Sequence, residues 1–199
     1  MPRNDRDNAP GVRGSGNAAS GGVKRGGPGA SALRNDAKTI EFLNRILKNE
    51  LTAINQYFLH SRMLANWGVS ELSKKEYEES IDEMKHADSL TQRILFLGGL
   101  PNLQYLDKLL IGETVEEVIS CDLSFEYKAL ADLREAIAYA ESIQDYGTRT
   151  LYEGILKSEE AHIDYLQTQQ RLIAAIGLSD YIQMQTQANA AYALDPPGD

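Results

Sequence analysis

The sequence predicts an all-α fold, a four-helix bundle with one long crossover and a short fifth helix at the C-terminal end. Four long segments carry apolar residues at the 3.6-residue spacing of an amphipathic helix. Capping residues and glycines separate these segments by a short, a long and a short connection, which indicates an up–down bundle with one crossover. A chain of 199 residues with 42% hydrophobic residues suits one such domain with extensions.

The chain begins with a segment that has no hydrophobic periodicity. Residues 1–36 contain eight glycines and three serines, so we expect a disordered tail. This tail carries six Lys or Arg and three Asp, whereas the rest of the chain carries 14 Lys or Arg and 26 Asp or Glu. We expect the bundle itself to span residues 37–177, followed by a fifth helix over 178–191 and a frayed end over 192–199.

The first two helices form a predicted hairpin. Asp36 can cap the first helix, and its apolar pattern continues to about Asn66. Ser73 and Glu76 have the spacing of a capping box, so we expect the second helix to begin there. Gly98-Gly99 then stops it.

The third and fourth helices form a second predicted hairpin. A connection over residues 99–112 precedes them, and it is too apolar to be a free linker. Thr114 and Glu117 form another capping box, which opens a third helix that runs to about Gln144. A tight turn leads to the fourth helix, which ends at Gly177.

A fifth helix follows the bundle. Ser179 can cap it, and its pattern continues to about Ala190. Tyr181, Ile182 and Met184 give it an apolar character, so we expect this helix to pack on other subunits.

Composition excludes several classes of protein. The single cysteine, Cys121, excludes an internal disulfide and a cysteine-based zinc or iron–sulfur site, and it favours a reducing cytoplasm. No apolar run reaches the ~18 residues of a membrane span, and the N-terminus lacks a secretory signal. Outside the basic tail the net charge is −12, which argues against nucleic acid as the main partner.

The chemistry of the chain begins with a repeated motif. Glu83 and His86 form an E-x-x-H sequence on the second predicted helix, and Glu159 and His162 repeat it on the fourth. A spacing of three places carboxylate and imidazole on one helical face about one turn apart, so both can bind one metal ion.

The remaining two helices each supply a matching glutamate. Glu50 precedes Glu83 by the same sequence separation by which Glu126 precedes Glu159. The two halves therefore repeat one pattern at a constant offset, as in two hairpins related by an approximate twofold axis. This arrangement predicts that four glutamates and two histidines meet on the bundle axis, as in di-iron carboxylate proteins.

Each of these residues alone has an ordinary interpretation, since a single glutamate is usually solvated and a single histidine is usually hydrogen-bonded. Together they would place several charges in a core with too few cations, and buried charges need pairing or a metal. A carboxylate-rich set with one imidazole per ion suits iron or manganese, and a pair of irons best explains the duplication. Zinc can also occupy such a site.

Two further residues are candidates for this chemistry. Tyr57 lies two helical turns after Glu50 on the same helical face, where it could hydrogen-bond a ligand carboxylate or donate one electron. An ordinary core tyrosine is the alternative. Met84 points about 130° away from the direction midway between Glu83 and His86, so we expect it to face out of the bundle.

Three segments closely resemble bacterioferritins over about residues 37–185. They are Asn49-Glu-Leu-Thr-Ala-Ile-Asn-Gln-Tyr-Phe-Leu-His60, Glu79-Ser-Ile-Asp-Glu-Met-Lys-His-Ala-Asp88 and Arg93-Ile-Leu-Phe-Leu-Gly-Gly-Leu-Pro-Asn-Leu103. The resemblance implies a cage of 24 subunits built from dimers, which oxidises Fe(II) with O₂ or peroxide and stores ferric mineral.

The resemblance also assigns roles to individual residues. It implies that Glu50, Glu83, His86, Glu126, Glu159 and His162 bind a di-iron centre, with Glu83 and Glu159 bridging, and that Tyr57 lies beside it. Two copies of Met84 across a dimer axis would bind one b-type haem. Electrons passed through this haem, with a ferredoxin as reductant, would release the iron.

The sequence departs from the family pattern at two positions. Glu78 stands where some bacterioferritins have a histidine that helps to form an extra iron site on the inner surface. Tyr165 stands where a tryptophan is common. The first difference bears on the extra iron site and on the electron route to it.

Several alternatives stay open at this level. A di-iron oxidase or peroxidase without storage would use the same ligands, and a helical interaction or DNA-protecting module would use the basic tail. The residues also leave open whether iron stays at the site or passes through it, and whether the cage mixes two kinds of subunit.

Overall fold

Five α-helices make up most of the computed structural model, which describes residues 36–186. They are α1 (Ala37–Asn66), α2 (Ser70–Phe96), α3 (Val115–Ser142), α4 (Tyr146–Ile176) and α5 (Leu178–Thr186). No strand occurs within this part of the chain, so the predicted all-α fold is confirmed. Residues 1–35 of the predicted tail, the frayed end and the last turn of the fifth helix lie outside the described residues.

The four long helices pack as two hairpins joined by the crossover. α1 packs mainly against α2 and α3 mainly against α4, while α1 also contacts α3. Asp36 caps α1 as predicted, because its carboxylate accepts from the backbone N–H groups of Lys38 and Thr39. Gly98, with φ of +80°, ends α2 in a conformation that favours glycine.

The predicted start of the second helix is wrong. α2 begins earlier, at Ser70, and no side chain caps it. Ser73 lies inside the first turns and donates its hydroxyl hydrogen to the carbonyl oxygen of Ser61 at 2.9 Å. Glu76 is fully buried instead of closing a capping box. The spacing of Ser73 and Glu76 here serves the packing of helices. The sequence pattern alone does not distinguish this role from capping.

The core consists of two large apolar clusters and a small third one, with a polar layer between the two large ones. One cluster lies at the end of the bundle that holds Leu43, Ile94 and Tyr152. The other lies at the end that holds Leu72 and Leu166. Five of the six predicted metal ligands lie along the chain between the parts of their helices that form the two large clusters, and Glu126 lies between Leu123 and Leu130 of the second one. Apolar packing therefore closes the polar layer on both sides.

The crossover is held by a row of polar side chains on α1, which we call the crossover clamp. Its members are four or eight residues apart along α1, so they lie on one side of the helix. The acceptors are Asn44 Oδ1, Thr52 Oγ1, Gln56 Oε1 and His60 Nε2, and the donors are the backbone N–H groups of Asn102, Asp107, Leu110 and Gly112, at 2.7, 3.0, 2.8 and 3.0 Å. The irregular backbone of the crossover thus finds hydrogen-bond partners without a strand or helix.

The third histidine of the chain belongs to this clamp. Because Nε2 of His60 accepts from Gly112, the ring proton lies on Nδ1 and is donated to Asp122, whose two oxygens are 2.8 and 2.9 Å away. His60 and Asp122 are both fully buried. This histidine therefore links α1, the crossover and α3.

The fifth helix packs partly inside its own chain, which corrects the expectation that it serves only other subunits. Tyr181 is fully buried and donates a hydrogen bond to Gln169 of α4 at 3.0 Å. Met184 is 54% exposed, so it remains available for contacts outside the chain. The hydroxyl group of Tyr181 fixes the direction of α5 against the bundle.

Candidate metal centre

Six side chains from four helices meet in the polar layer of the bundle. Each long helix contributes at least one of them, and all are buried except His86, whose side chain is 18% exposed. They are Glu50, Glu83, His86, Glu126, Glu159 and His162, which are the six residues that the sequence predicts as ligands.

The first group of potential ligands surrounds His86. Its Nδ1 atom lies 2.8 Å from Glu83 Oε2, 3.4 Å from Glu50 Oε2 and 3.6 Å from Glu159 Oε1. One donor atom from each of these four residues lies within 4.8 Å of the others, which is compact enough for a shared metal ion.

The second group surrounds His162. Its Nδ1 atom lies 3.0 Å from Glu126 Oε1, and donor atoms of Glu83 and Glu159 complete a set that again lies within 4.8 Å. Glu83 and Glu159 therefore belong to both groups, while each group has one histidine and one further glutamate of its own. This geometry has the approximate twofold symmetry that the equal spacings in the two halves predict.

Burial favours the protonated form of three of the carboxyl groups. Burial, with the nearby Glu126 charge, raises the pKa of Glu50 to about 7. Burial also raises the pKa of Glu83 well above its usual value, aided by the charge of Glu50. Burial and the charges of Glu126, Glu83 and Glu50 do the same for the pKa of Glu159. Cation binding must therefore displace protons from these groups, so metal affinity should rise with pH.

Glu126 and His162 behave differently, as an ion pair. Burial opposes ionisation of Glu126, but the hydrogen bond and charge of His162 outweigh it, and the pKa of Glu126 is lowered. Burial likewise opposes the charged form of His162, but Glu126 raises the pKa of this imidazole to about 9. A metal ion that replaces the imidazole proton would keep the charge of Glu126 compensated.

The donor atoms fit a metal. Glu50 Oε2 and Glu126 Oε2 are buried without a hydrogen-bond partner, although buried carboxylate oxygens normally have one. Four carboxylates and two imidazoles are the ligand types of iron and manganese sites, and they can also hold zinc. The cluster can therefore hold two divalent cations between Glu83 and Glu159.

Tyr57 lies directly beside the second group. It is fully buried, and its hydroxyl group donates a hydrogen bond to Glu126 Oε1. Its ring meets the imidazole of His162 edge-on, with 5.2 Å between the ring centroids. The structure thus shows the hydrogen bond to a candidate ligand that the sequence suggested for Tyr57.

Met84 faces away from the cluster. It is 51% exposed, although Glu83 beside it is almost fully buried. The same turn of α2 therefore presents a carboxylate inward and a thioether to the surface, as its helical angle predicts.

The two departures from the family pattern lie beside lysine side chains of α2. Glu78 is exposed and lies 3.8 Å from Lys74, while the neighbouring Glu79 is paired with Lys75. Tyr165 is half-buried, and the centroid of its ring lies 5.2 Å from Nζ of Lys75. Lysine partners compensate these carboxylates, so this surface has less free negative charge than its sequence suggests.

Glu76 is a buried acid that the sequence did not identify. Neither of its carboxyl oxygens has a hydrogen-bond partner, although the residue is fully buried. Burial, with the charges of Asp122, Glu79 and Glu126, raises its pKa well above 4.5. The only sequence signal was the short spacing of Glu76, Glu79 and Glu83 along one helix.

The position of Glu76 predicts a pH-dependent stability. Because its folded-state pKa is raised, the folded chain holds the proton more tightly than the unfolded chain, so ionisation above pH ~4.5 destabilises the fold. We expect the thermal midpoint of metal-free Glu76→Gln to rise relative to that of the unchanged chain as the pH increases, with a difference about 2–8 °C larger at pH 8 than at pH 5.

The matched control for this prediction is Glu78→Gln, which changes an exposed glutamate on the same helix. Thermal unfolding of both variants, followed by circular dichroism from pH 5 to pH 8, measures the effect. A pH-independent difference for Glu76→Gln, or an equal shift in the control, would contradict the prediction.

No helix within residues 36–186 combines the length and the apolar character that crossing a membrane requires.

The amino-acid sequence is similar to sequences of known proteins. A family model described as the ferritin-like domain matches residues 40–176. The chain is 48% identical over 145 residues to a bacterioferritin from Rhodobacter capsulatus, covering 73% of this chain and 90% of that protein. It is 48% identical over 149 residues to one from Mycolicibacterium paratuberculosis and 47% identical over 152 residues to one from Brucella melitensis. These matches cover 75% and 76% of this chain and 94% of each relative.

Proposed function

Because the chain belongs to the bacterioferritin family, we propose that it stores iron in the cytoplasm after oxidising Fe(II) at the buried cluster. The observation that carries this proposal is the pair of overlapping ligand groups, which share Glu83 and Glu159 and have one histidine each. Two equivalent positions for one cation each allow two Fe(II) ions, which lose one electron each, to reduce one oxidant by two electrons.

The protein side of the reaction follows from the protonation of the cluster. Glu50, Glu83 and Glu159 give up protons when cations bind, because their raised pKa values keep them protonated beforehand. Each bound ferrous ion supplies one electron, so two ions and two protons reduce O₂ to hydrogen peroxide, or hydrogen peroxide to two waters. The displaced protons are thus released close to the oxidant that consumes them.

The surrounding packing orients the ligands and excludes water. The apolar clusters on both sides of the polar layer limit access of bulk solvent to the carboxylates. Tyr57 holds Glu126 through its hydrogen bond, and the same ring is close enough to the centre to donate one electron. Because these ligands are held in place, they need to rearrange less when iron changes its oxidation state.

Assembly and haem binding complete the proposal. We expect dimers in which two exposed Met84 thioethers bind one b-type haem, and 24 subunits that enclose a cavity for ferric mineral. Electrons that a ferredoxin passes to the haem would reduce the stored iron for release. Tyr77 lies two helical turns before Met84 on the same face of α2, and it is another exposed apolar side chain that such a dimer would cover.

The storage proposal has a direct test. Light scattering of the purified chain should give a particle about 24 times the 22.0 kDa chain mass, and aerobic Fe(II) addition should load it with far more iron than two ions per chain. The control is the same protein loaded with Fe(II) under nitrogen. A particle no larger than a dimer that still oxidises Fe(II) would instead support a di-iron oxidase without storage.

A further inference from the structure

A small cavity adjoins the cluster between α1 and α3. Its volume is about 10 Å³, close to the space that one water molecule or one ion needs. Four of the six candidate ligands line it, together with Asn49, Ala53, Phe125 and Ala129. Ala53 and Ala129 are small residues on the two facing helices, so the helices leave a gap at this level.

Asn49 is the one lining side chain in this cavity that is polar but uncharged. Its Nδ2 group donates a hydrogen bond to Asp132 Oδ2 at 3.0 Å, and a carboxylate can only accept, so the amide orientation is defined. Asp132 does not line the cavity. The carbonyl oxygen, Asn49 Oδ1, is buried and has no hydrogen-bond partner. It is therefore the atom that Asn49 offers to a cation in the cavity.

Polar groups connect Asn49 to the surface. The Asp132 side chain is 23% exposed and lies 3.6 Å from Arg45 Nε, while Arg45 also pairs with the exposed Glu135 at 2.8 Å. Exposure thus rises from Asn49 through Asp132 to Glu135, while Glu50 and Glu126 line the cavity itself. Arg45 compensates part of the carboxylate charge at the outer end.

We propose that the Asn49 carbonyl is a transient ligand for divalent cations that approach the cluster between α1 and α3, and that Asp132 is the positioning residue that keeps this oxygen turned toward the cavity. A neutral oxygen suits this step, because it replaces one water of the cation without binding it tightly enough to retain it. The proposal rests on the proposed function for the identity of the natural cation, Fe(II).

Cobalt(II) tests the proposal without any oxidation, because its visible absorption reports ligand binding directly. Stopped-flow mixing of metal-free protein with Co(II) gives the binding rate, and the final spectrum and the bound cobalt per chain give the end state. Asn49→Leu keeps the number and branching of the side-chain heavy atoms but removes the oxygen, together with the Nδ2 donor to Asp132. We expect it to slow binding about 3- to 10-fold, the effect of one polar contact, with an unchanged end state.

Two further variants separate the roles. Asp132→Asn should slow Co(II) binding about 2- to 3-fold, because an amide partner no longer fixes the orientation of Asn49. Asn55→Leu is the matched control, since Asn55 is an exposed asparagine on α1 whose amide bonds only to Leu51 of its own helix, and it should bind at the unchanged rate.

The outcomes distinguish this proposal from the proposed function. An unchanged binding rate in Asn49→Leu would overturn the transient-ligand role, and so would a slower rate with an altered final spectrum, because that result indicates distortion of Glu50. If removing Glu50 and Glu126 left Co(II) binding unchanged, the cluster would not be the metal site and both proposals would fail.

Discussion

The double variant Glu50→Ala, Glu126→Ala is expected to lose at least about 100-fold of the initial rate of Fe(II) oxidation while keeping its helical content and assembly. Each substitution removes the one glutamate that belongs to only one of the two ligand groups. Loss of a single supporting group at a metal site already costs about 10- to 100-fold in affinity or activity, so loss of two direct ligands should cost more. The appearance of ferric absorption after Fe(II) is added in air measures the rate.

Folding should survive this double substitution. Burial favours the protonated, uncharged form of Glu50, and Glu126 is the group that raises the pKa of the buried His162. Without Glu126 the imidazole loses its proton, because burial favours the neutral form, so no unpaired charge stays in the core. The matched control is Glu41→Ala, Glu116→Ala, which removes two exposed glutamates from the same two helices. Unchanged oxidation in the first variant, or an equal loss in the control, would show that the cluster is not the oxidation site.

Met84→Ala is expected to reduce bound haem from about one per two chains to almost none. The thioether is 51% exposed, so a second copy related by a twofold axis can place an identical sulfur on the other face of a haem iron. The haem content of protein expressed with added haem precursor, read from the Soret absorption per chain, measures the effect. Met84→His should keep haem but change its absorption, because the axial ligand changes.

Met184→Ala is the control for this prediction, since Met184 is a methionine of α5 that is 54% exposed. It should bind as much haem as the unchanged chain. Full haem content with an unaltered spectrum in both Met84 variants would remove Met84 as the ligand. Ferrous oxidation should be retained in Met84→Ala, because the side chain points away from the cluster.

The centre was the most predictable part of the structure, because its signal is repeated. The equal spacings in the two halves of the chain indicate on which helix a ligand lies, on which face of that helix, and how far along the bundle axis. Glu50 and Glu126 could therefore be located from the two E-x-x-H motifs. The exposure of Met84 also followed from helical geometry alone. These inferences need only the rotation per residue and the assumption of long helices.

Other features depend on contacts between distant parts of the chain, and sequence patterns could not supply them. Glu76 looked like half of a capping box, but burial against α3 decides its environment. The acceptors that hold the crossover meet donors in a distant part of the sequence. The position of Tyr181 and the orientation of the Asn49 amide likewise depend on partners on neighbouring helices.

The crossover clamp has a consequence for how the chain selects its topology. Two hairpins with equal internal spacing could associate in more than one arrangement, because the inward-facing ligands alone do not identify which hairpin is which. The clamp breaks this degeneracy, since the positions in the second half that correspond to Asn44, Thr52, Gln56 and His60 hold Ser120, Lys128, Asp132 and Ala136. Lys128 and Ala136 offer no side-chain acceptor, so only the first hairpin has all four acceptors for the connecting segment, and the pseudo-symmetric ligand set forms on an asymmetric path of the chain.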